Sequence, residues 1–147
     1  MINDQIYPKG QLNILLTGSD GKIKVNETVK NLVVDAGKGW IAARMTEASI
    51  PDEMSHMAVG TDNTAAAGGQ TTLVAENARV ALSTTTISTN TVEYAATFGA
   101  GTGTAALVEA GILNAASAGT LLCRTVFSVV NKGADDTLTI TWTITIN

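Results

Sequence analysis

Apolar residues and threonines alternate strictly along the C-terminal stretch, Asp136 to Asn147. Five apolar side chains occupy every second position from Leu138 to Ile146, with threonines between them. Successive side chains of a strand point to opposite faces, whereas a helical period of 3.6 residues would scatter these apolar groups around the axis. The stretch is therefore predicted to form a strand of roughly 30 Å with Trp142 at its centre. We expect it to be the central strand of a β-sandwich.

Shorter β patterns separated by turn signals fill most of the remaining chain. Gln11–Leu16 and Lys22–Asn26 flank Ser19-Asp20-Gly21, and an Asp-Gly turn between two alternating runs is typical of a β-hairpin. Thr120–Val130 carries apolar residues at both odd and even positions, so we expect its faces to be covered by the opposite sheet and by another subunit. The other predicted strands are Met57–Thr61, Arg79–Ser83, Thr91–Phe98 and Leu107–Asn114.

One short helix is predicted between the early strands. Asp35 is a candidate N-cap, and Trp40, Ile41 and Met45 would turn one apolar side of two or three helical turns towards the edge of the sandwich. Polar or glycine-rich stretches at Thr46–Ser55, Asp62–Gln70 and Gly99–Gly103 are predicted to be loops.

The first ten residues differ from the rest. Residues 1–10 are mostly polar and include a proline and a glycine, so they are predicted to form an extended N-terminal arm. Residues 11–147 would then form a single domain. The predicted fold class is all-β: a jelly-roll-like antiparallel β-sandwich with one short helix and an extended N-terminal arm.

Charged residues are scarce along the chain. Only 15% of the 147 residues are charged, and Glu93 and Glu109 are the only charges between Arg79 and Arg124. A threonine-coated sheet facing water is one explanation. The explanation we favour is that much of this surface faces other protein subunits, because the cores of interfaces are depleted of charge.

Net charge, apolar run length and cysteine content argue against nucleic-acid binding, membrane insertion and secretion. The net charge is −4 and the sequence contains no basic cluster, so no nucleic-acid partner is expected. No apolar run is long enough to span a membrane, and residues 1–10 do not have the apolar centre of a secretory signal. Cys123 is the single cysteine, so no internal disulfide is expected and assembly in a cytosol is predicted.

The residues that could carry catalysis or bind a metal do not form a recognisable motif. His56 is the only histidine, and no GxSxG nucleophile motif accompanies it. Asp52 and Glu53 could join His56 on one face of a helical turn, but no second histidine or cysteine completes a metal site. Cys123 shares a predicted strand face with Phe127, which favours a buried thiol over a nucleophile. We therefore expect no enzyme activity, no metal, no cofactor and no small-molecule substrate.

Four charges stand out because they are isolated in or beside neutral strands. Glu76 precedes Arg79 by three residues, and Glu109 and Arg124 interrupt apolar runs. A buried charge is tolerated when it is paired. We expect Arg79 or Arg124 to pair with Glu109 or Glu76 in a structural role; the alternative is that each side chain reaches solvent.

Several short motifs occur together over residues 30–147. They are Gly39-Trp40-Ile41-Ala42-Ala43-Arg44, Val59-Gly60-Thr61, the Leu73-x-x-Glu76-x-x-Arg79 pattern, Glu109-Ala110-Gly111-Ile112-x-Asn114, Leu122-Cys123-Arg124-Thr125-Val126-Phe127 and the threonine-rich C-terminal strand. In this combination the chain resembles tailed-bacteriophage virion proteins, a group that includes capsid decoration (cement) proteins and small tail-fibre-like proteins.

The resemblance implies a non-enzymatic protein on the outside of a phage capsid, assembled in the host cytoplasm. It would bind the major capsid protein and itself, as a homotrimer, and would stabilise the icosahedral shell as a decoration protein. The alternative is a tail-fibre or baseplate protein that binds a host-surface glycan. The candidate contact residues are Ile2, Ile6 and Tyr7 in the arm, and Asp62, Asn63 and Thr64 in a loop.

Overall fold

The computed structural model describes residues 5–147 as two antiparallel sheets packed face to face. One sheet, called sheet A, has the strand order β2-β1-β10-β7-β6, and the other, sheet B, has the order β3-β9-β8-β4-β5. The elements are β1 (Pro8–Thr17), β2 (Ile23–Lys30), β3 (Leu32–Val33), α1 (Asp35–Arg44), β4 (His56–Gly60), β5 (Glu76–Ala81), β6 (Thr84–Ser88), β7 (Thr91–Phe98), β8 (Ala105–Leu113), β9 (Leu121–Lys132) and β10 (Thr137–Ile146). The all-β sandwich with one short helix is confirmed.

The C-terminal strand β10 is the middle strand of sheet A. It pairs with β1 on one side and with β7 on the other, so that Trp142 lies between Leu12 and Tyr94. Trp142 is 0% exposed, and its indole N–H has no hydrogen-bond partner within residues 5–147. An unpaired buried donor costs about 1–3 kcal/mol, whereas burial of roughly 200 Å² of ring surface contributes about 5 kcal/mol. The ring therefore stabilises the core despite its unpaired N–H.

The core fills the space between the two sheets, where the inward-facing apolar side chains of both sheets meet. Sheet A contributes side chains such as Leu12 and Phe98, and sheet B contributes side chains such as Met57 and Ile112, all of which are 0% exposed. The threonines of β10 point to the other face of sheet A and are half-buried.

The sandwich begins earlier in the chain than the sequence pattern suggested. Strand β1 begins at Pro8, opposite Ile146, so residues 8–10 belong to the sandwich and the predicted boundary at residue 10 was wrong. A proline is compatible with the first position of a strand, where its missing N–H does not interrupt the ladder. The backbones of Tyr7 and Asn147 also hydrogen-bond to each other in both directions, at 3.0 and 3.1 Å.

Helix α1 packs against β9 of sheet B, and its Trp40 and Ile41 side chains pack against the main core. Its N-cap is Val34, without a side-chain capping bond, and the backbone N–H of Asp35 donates to the Gly68 carbonyl at 2.9 Å. The prediction of Asp35 as the N-cap was therefore wrong by one residue. Gly37 is buried against β9, where a Cβ atom would overlap the backbone carbonyl of Leu122.

The outer face of the first part of β9 is covered by the chain itself. Leu121 packs there with Val34, Leu73 and Leu113 in a small apolar cluster separate from the main core. The prediction of double cover therefore holds for residues 121–125, where another subunit is not needed to provide it, but not for Val129, which is 54% exposed.

Candidate interaction surface

A buried ion pair lies beneath the loop that connects β4 to β5. Glu109 on β8 and Arg124 on β9 are both 0% exposed, and the Arg124 Nη2 and Nε atoms lie 2.8 and 2.9 Å from Glu109 Oε2. The prediction that Arg79 or Arg124 would pair with Glu109 or Glu76 is thus confirmed for Arg124 and Glu109.

This ion pair fixes residues 61–75, which we call the cover loop. Glu109 accepts hydrogen bonds from the backbone N–H groups of Val74 at 3.0 Å and Ala75 at 2.7 Å. Arg124 donates from Nη1 to the carbonyl of Thr64 at 2.8 Å and to Gln70 Oε1 at 3.2 Å. Because both charges are desolvated, these added hydrogen bonds are what makes the pair tolerable.

The two ends of the cover loop are also held together. The Thr61 N–H donates to the Ala75 carbonyl at 3.0 Å, as in a compact loop whose ends lie close to each other. Gly60 precedes the loop, and a Cβ atom at that position would overlap the Glu109 carboxylate. The sequence therefore places a glycine where the buried carboxylate needs room.

The three predicted contact residues of this loop lie on its outside. Asp62 is half-buried, and Asn63 and Thr64 are exposed. The Asp62 carboxylate accepts a hydrogen bond from the Thr64 backbone N–H at 2.7 Å, and hydrogen bonds from the Thr64 side chain and then its backbone lower the pKa of Asp62. The loop thus presents side chains outward from a backbone that is fixed from within.

The predicted contact residues of the arm lie beside helix α1. Ile6 and Tyr7 are 74% and 47% exposed. With Ile41, Met45 and other residues they line an apolar groove of about 370 Å³. Ile2 lies outside the described residues.

Glu76 and Arg79, the other two of the four isolated charges, also form an ion pair. Arg79 Nη2 and Nε lie 2.7 and 3.1 Å from the two carboxylate oxygens of Glu76. Arg79 Nη1 also donates to the carbonyls of Ala115 and Ala118, each at 2.9 Å. Arg79 therefore holds the turn between β8 and β9 against β5.

A further charge cluster at the β9–β10 turn was missed by the sequence analysis. Lys132 is 2% exposed, and its Nζ donates to the carbonyls of Gly99 at 2.8 Å and Asp136 at 2.7 Å. Asp136 is 4% exposed and accepts a hydrogen bond from Lys24 Nζ at 2.7 Å. Hydrogen bonds, first from Lys24, lower the pKa of Asp136, whereas burial lowers the pKa of Lys132. The cluster joins the β1–β2 hairpin to the end of the sandwich.

The residues considered for catalysis lie in different environments. His56 is half-buried at the first position of β4, and its Nδ1 lies 2.8 Å from Ser55 Oγ. Cys123 is fully buried, and burial raises the pKa of its thiol. Across residues 5–147, no three histidine, cysteine or acidic side chains come together as metal ligands would.

In comparisons with protein families, curated proteins and solved structures, nothing matches this chain. Within the described part of the chain, no helix is long and apolar enough to cross a lipid bilayer.

Proposed function

We propose that this protein is a non-enzymatic decoration protein of a tailed-bacteriophage capsid. It binds the outer surface of the icosahedral head as a homotrimer and stabilises the shell through contacts with the major capsid protein. The motif resemblance supplies the identity of the particle, and the structure contributes a surface suited to packing against other subunits.

The observation that carries the proposal is the composition of the edge strand β6. All five of its residues, Thr84–Ser88, are exposed and uncharged, and Ile87 is 76% exposed. Strand β6 pairs with β7 on one side only within the described residues. Soluble proteins usually protect such an edge with charged residues or proline, so an unprotected edge supports the view that it is covered in an assembly.

The rigid cover loop supports the same function. Contacts made by a preordered loop cost less conformational entropy than contacts made by a mobile one. A trimer that engages several shell subunits at once would also multiply modest contacts through effective concentration. Many copies could therefore stabilise a shell without a deep binding site on each one.

The glycan-binding alternative is less well supported. Sugar sites use exposed aromatic rings, but Tyr94, Phe98, Phe127 and Trp142 are buried among the six aromatic residues of the chain. Trp40 is half-buried, and its Nε1 donates to the Asp52 carbonyl at 2.8 Å. Tyr7 is the one exposed aromatic side chain, which is a small platform for a saccharide.

The proposal is tested by adding purified protein to capsids that lack it. Cosedimentation followed by quantitative mass spectrometry should give saturable binding of hundreds of copies per particle. Binding of a few copies, or binding only to tails, would instead indicate the adhesin alternative.

The proposed role of the N-terminal arm in capsid binding can be tested with a truncation that leaves the sandwich intact. Deleting residues 1–6 removes Ile2 and Ile6 but keeps the Tyr7–Asn147 hydrogen bonds and all of β1. We expect weaker capsid binding with unchanged thermal unfolding. Capsid binding as tight as that of the full chain would rule the arm out as a contact.

A further inference from the structure

Three lysines that are distant in sequence meet at one end of the sandwich. Lys9, Lys30 and Lys38 line a cavity of about 630 Å³ between the start of β1, the β2–β3 turn and α1. The strand register explains part of this, because Gln11 on β1 pairs with Lys30 on β2 and Lys9 pairs with Thr145 on β10. The size is within the range of about 300–1,000 Å³ typical of ligand sites.

The charge of this cavity has little internal compensation. Among residues 5–147, no aspartate or glutamate side chain lines it. Lys38 comes within 3.9 Å of Asp35, but both side chains are more than half exposed, so that pair is weak. Three of the nine basic residues of a chain with net charge −4 thus converge on one cavity.

The basic cavity continues into the apolar groove beside α1. Tyr7, Pro8 and Lys38 line both of them. Beyond these shared residues the groove is lined by Ile6, Ile41, Ala42, Met45 and Ile146. The combined site therefore has a cationic half and an apolar half, which we call the lysine groove.

We propose that the lysine groove binds an acidic peptide segment that also carries apolar side chains, contributed by a partner protein. The carboxylates would lie among the three lysines, and the apolar side chains would pack between Ile41, Met45 and Ile6. Charge complementarity argues for the acidic residues. The adjoining apolar surface argues for a peptide over an anionic sugar or a free anion, neither of which would use it. This inference does not rest on the proposed capsid function.

The test is fluorescence anisotropy with a labelled peptide of three glutamates joined to three leucines, made in both orders. We expect saturable binding that weakens as salt is raised. Replacing Lys9, Lys30 and Lys38 together by glutamine should weaken binding about tenfold. Lys22→Gln is the matched control, because Lys22 is exposed and lies outside the groove; it should change affinity less than twofold.

A second pair of variants tests the apolar half. Met45→Asp should weaken binding, whereas Ile87→Asp should not, although the two side chains are 80% and 76% exposed. Both residues lie on the surface, so we expect both variants to remain folded and to unfold thermally at the temperature of the parent protein.

Several results would overturn the proposal. The first is an equal loss of peptide affinity in the triple variant and in Lys22→Gln. The second is that a peptide of glutamates alone binds as tightly as the glutamate–leucine peptide. The third is full displacement of the labelled peptide by a sulfated oligosaccharide at low concentration. Binding that appears only after residues 1–4 are deleted would also overturn it, because the groove would then belong to the chain's own N-terminus.

Discussion

Removing the charge of Glu109 should be the most damaging single polar substitution in this protein. In Glu109→Gln the side chain keeps its size, but the Arg124 guanidinium loses its ionic partner while remaining 0% exposed. The new amide NH₂ group would also face donors, since Glu109 now accepts from Val74, Ala75 and Arg124. Breaking a buried pair in this way costs about 3–5 kcal/mol.

That loss is large relative to the total stability of a domain. Folded domains are stable by about 5–15 kcal/mol, and 1 kcal/mol corresponds to about 2–4 °C in Tm for a chain of this size. Glu109→Gln should therefore lower Tm by about 6–20 °C, with a matching fall in the urea midpoint. Glu93 on β7 is exposed and provides the control, because Glu93→Gln leaves no buried charge behind and should cost under about 0.5 kcal/mol.

The double variant Glu109→Leu with Arg124→Met distinguishes the cost of an unpaired buried charge from the loss of the hydrogen bonds that hold the cover loop. It leaves no buried charge, so its free energy of unfolding should exceed that of either single variant. The Val74 and Ala75 amides would nevertheless lose their acceptor, and their hydrogen exchange should accelerate selectively. A cost below 1 kcal/mol for Glu109→Gln, or unchanged protection of those amides in the double variant, would refute this reasoning.

Three further predictions concern other parts of the sandwich. Gly37→Ala should destabilise the protein by roughly 1–3 kcal/mol in chemical unfolding, because the added methyl meets the β9 backbone. Gly39→Ala, where a Cβ meets nothing within 4 Å, should instead stabilise it by about 0.5–1 kcal/mol. Similar losses of stability for both variants would contradict this packing. Asp136→Asn should be less stable than the parent protein at pH 7, and this difference in the free energy of unfolding should close as the pH falls below 3.8, the ordinary pKa of aspartate. The reason is that the lowered pKa of Asp136 gives stability that is present above that pH and lost on protonation. A stability difference independent of pH would exclude the ionised carboxylate as its cause. The Cys123 thiol should react with an aromatic disulfide reagent only as fast as the protein unfolds, because it is buried and its pKa is raised; rapid reaction in the native state would contradict its burial.

Strands with a regular period were predictable from the sequence. Thr91–Phe98 was predicted with the bounds of β7, and the C-terminal strand was placed correctly at the centre of a sheet. Strand β6 was missed, because all five of its residues are exposed and apolar and polar positions do not alternate in it. A β-branched composition without alternation is a weak signal.

The charged sites also divide into those that were predictable from the sequence and those that were not. Glu109 and Arg124 were among the four charges expected to pair, because each interrupts a neutral apolar run, which indicates a buried charge in need of a partner. The buried Lys132 was missed because it borders a glycine and two aspartates, a composition typical of an exposed turn. Nothing local in the sequence brings Lys9, Lys30 and Lys38 together, since their proximity depends on strand register and on where α1 docks.

The location of this chain in an intact particle tests the account most directly. A cryo-electron microscopy map of purified virions, compared with virions that lack the protein, should show additional density at many equivalent sites on the outer surface of the head. Each site should accommodate three copies of the two-sheet sandwich. Density confined to the tail or baseplate, or no difference between the two particles, would contradict the proposed function.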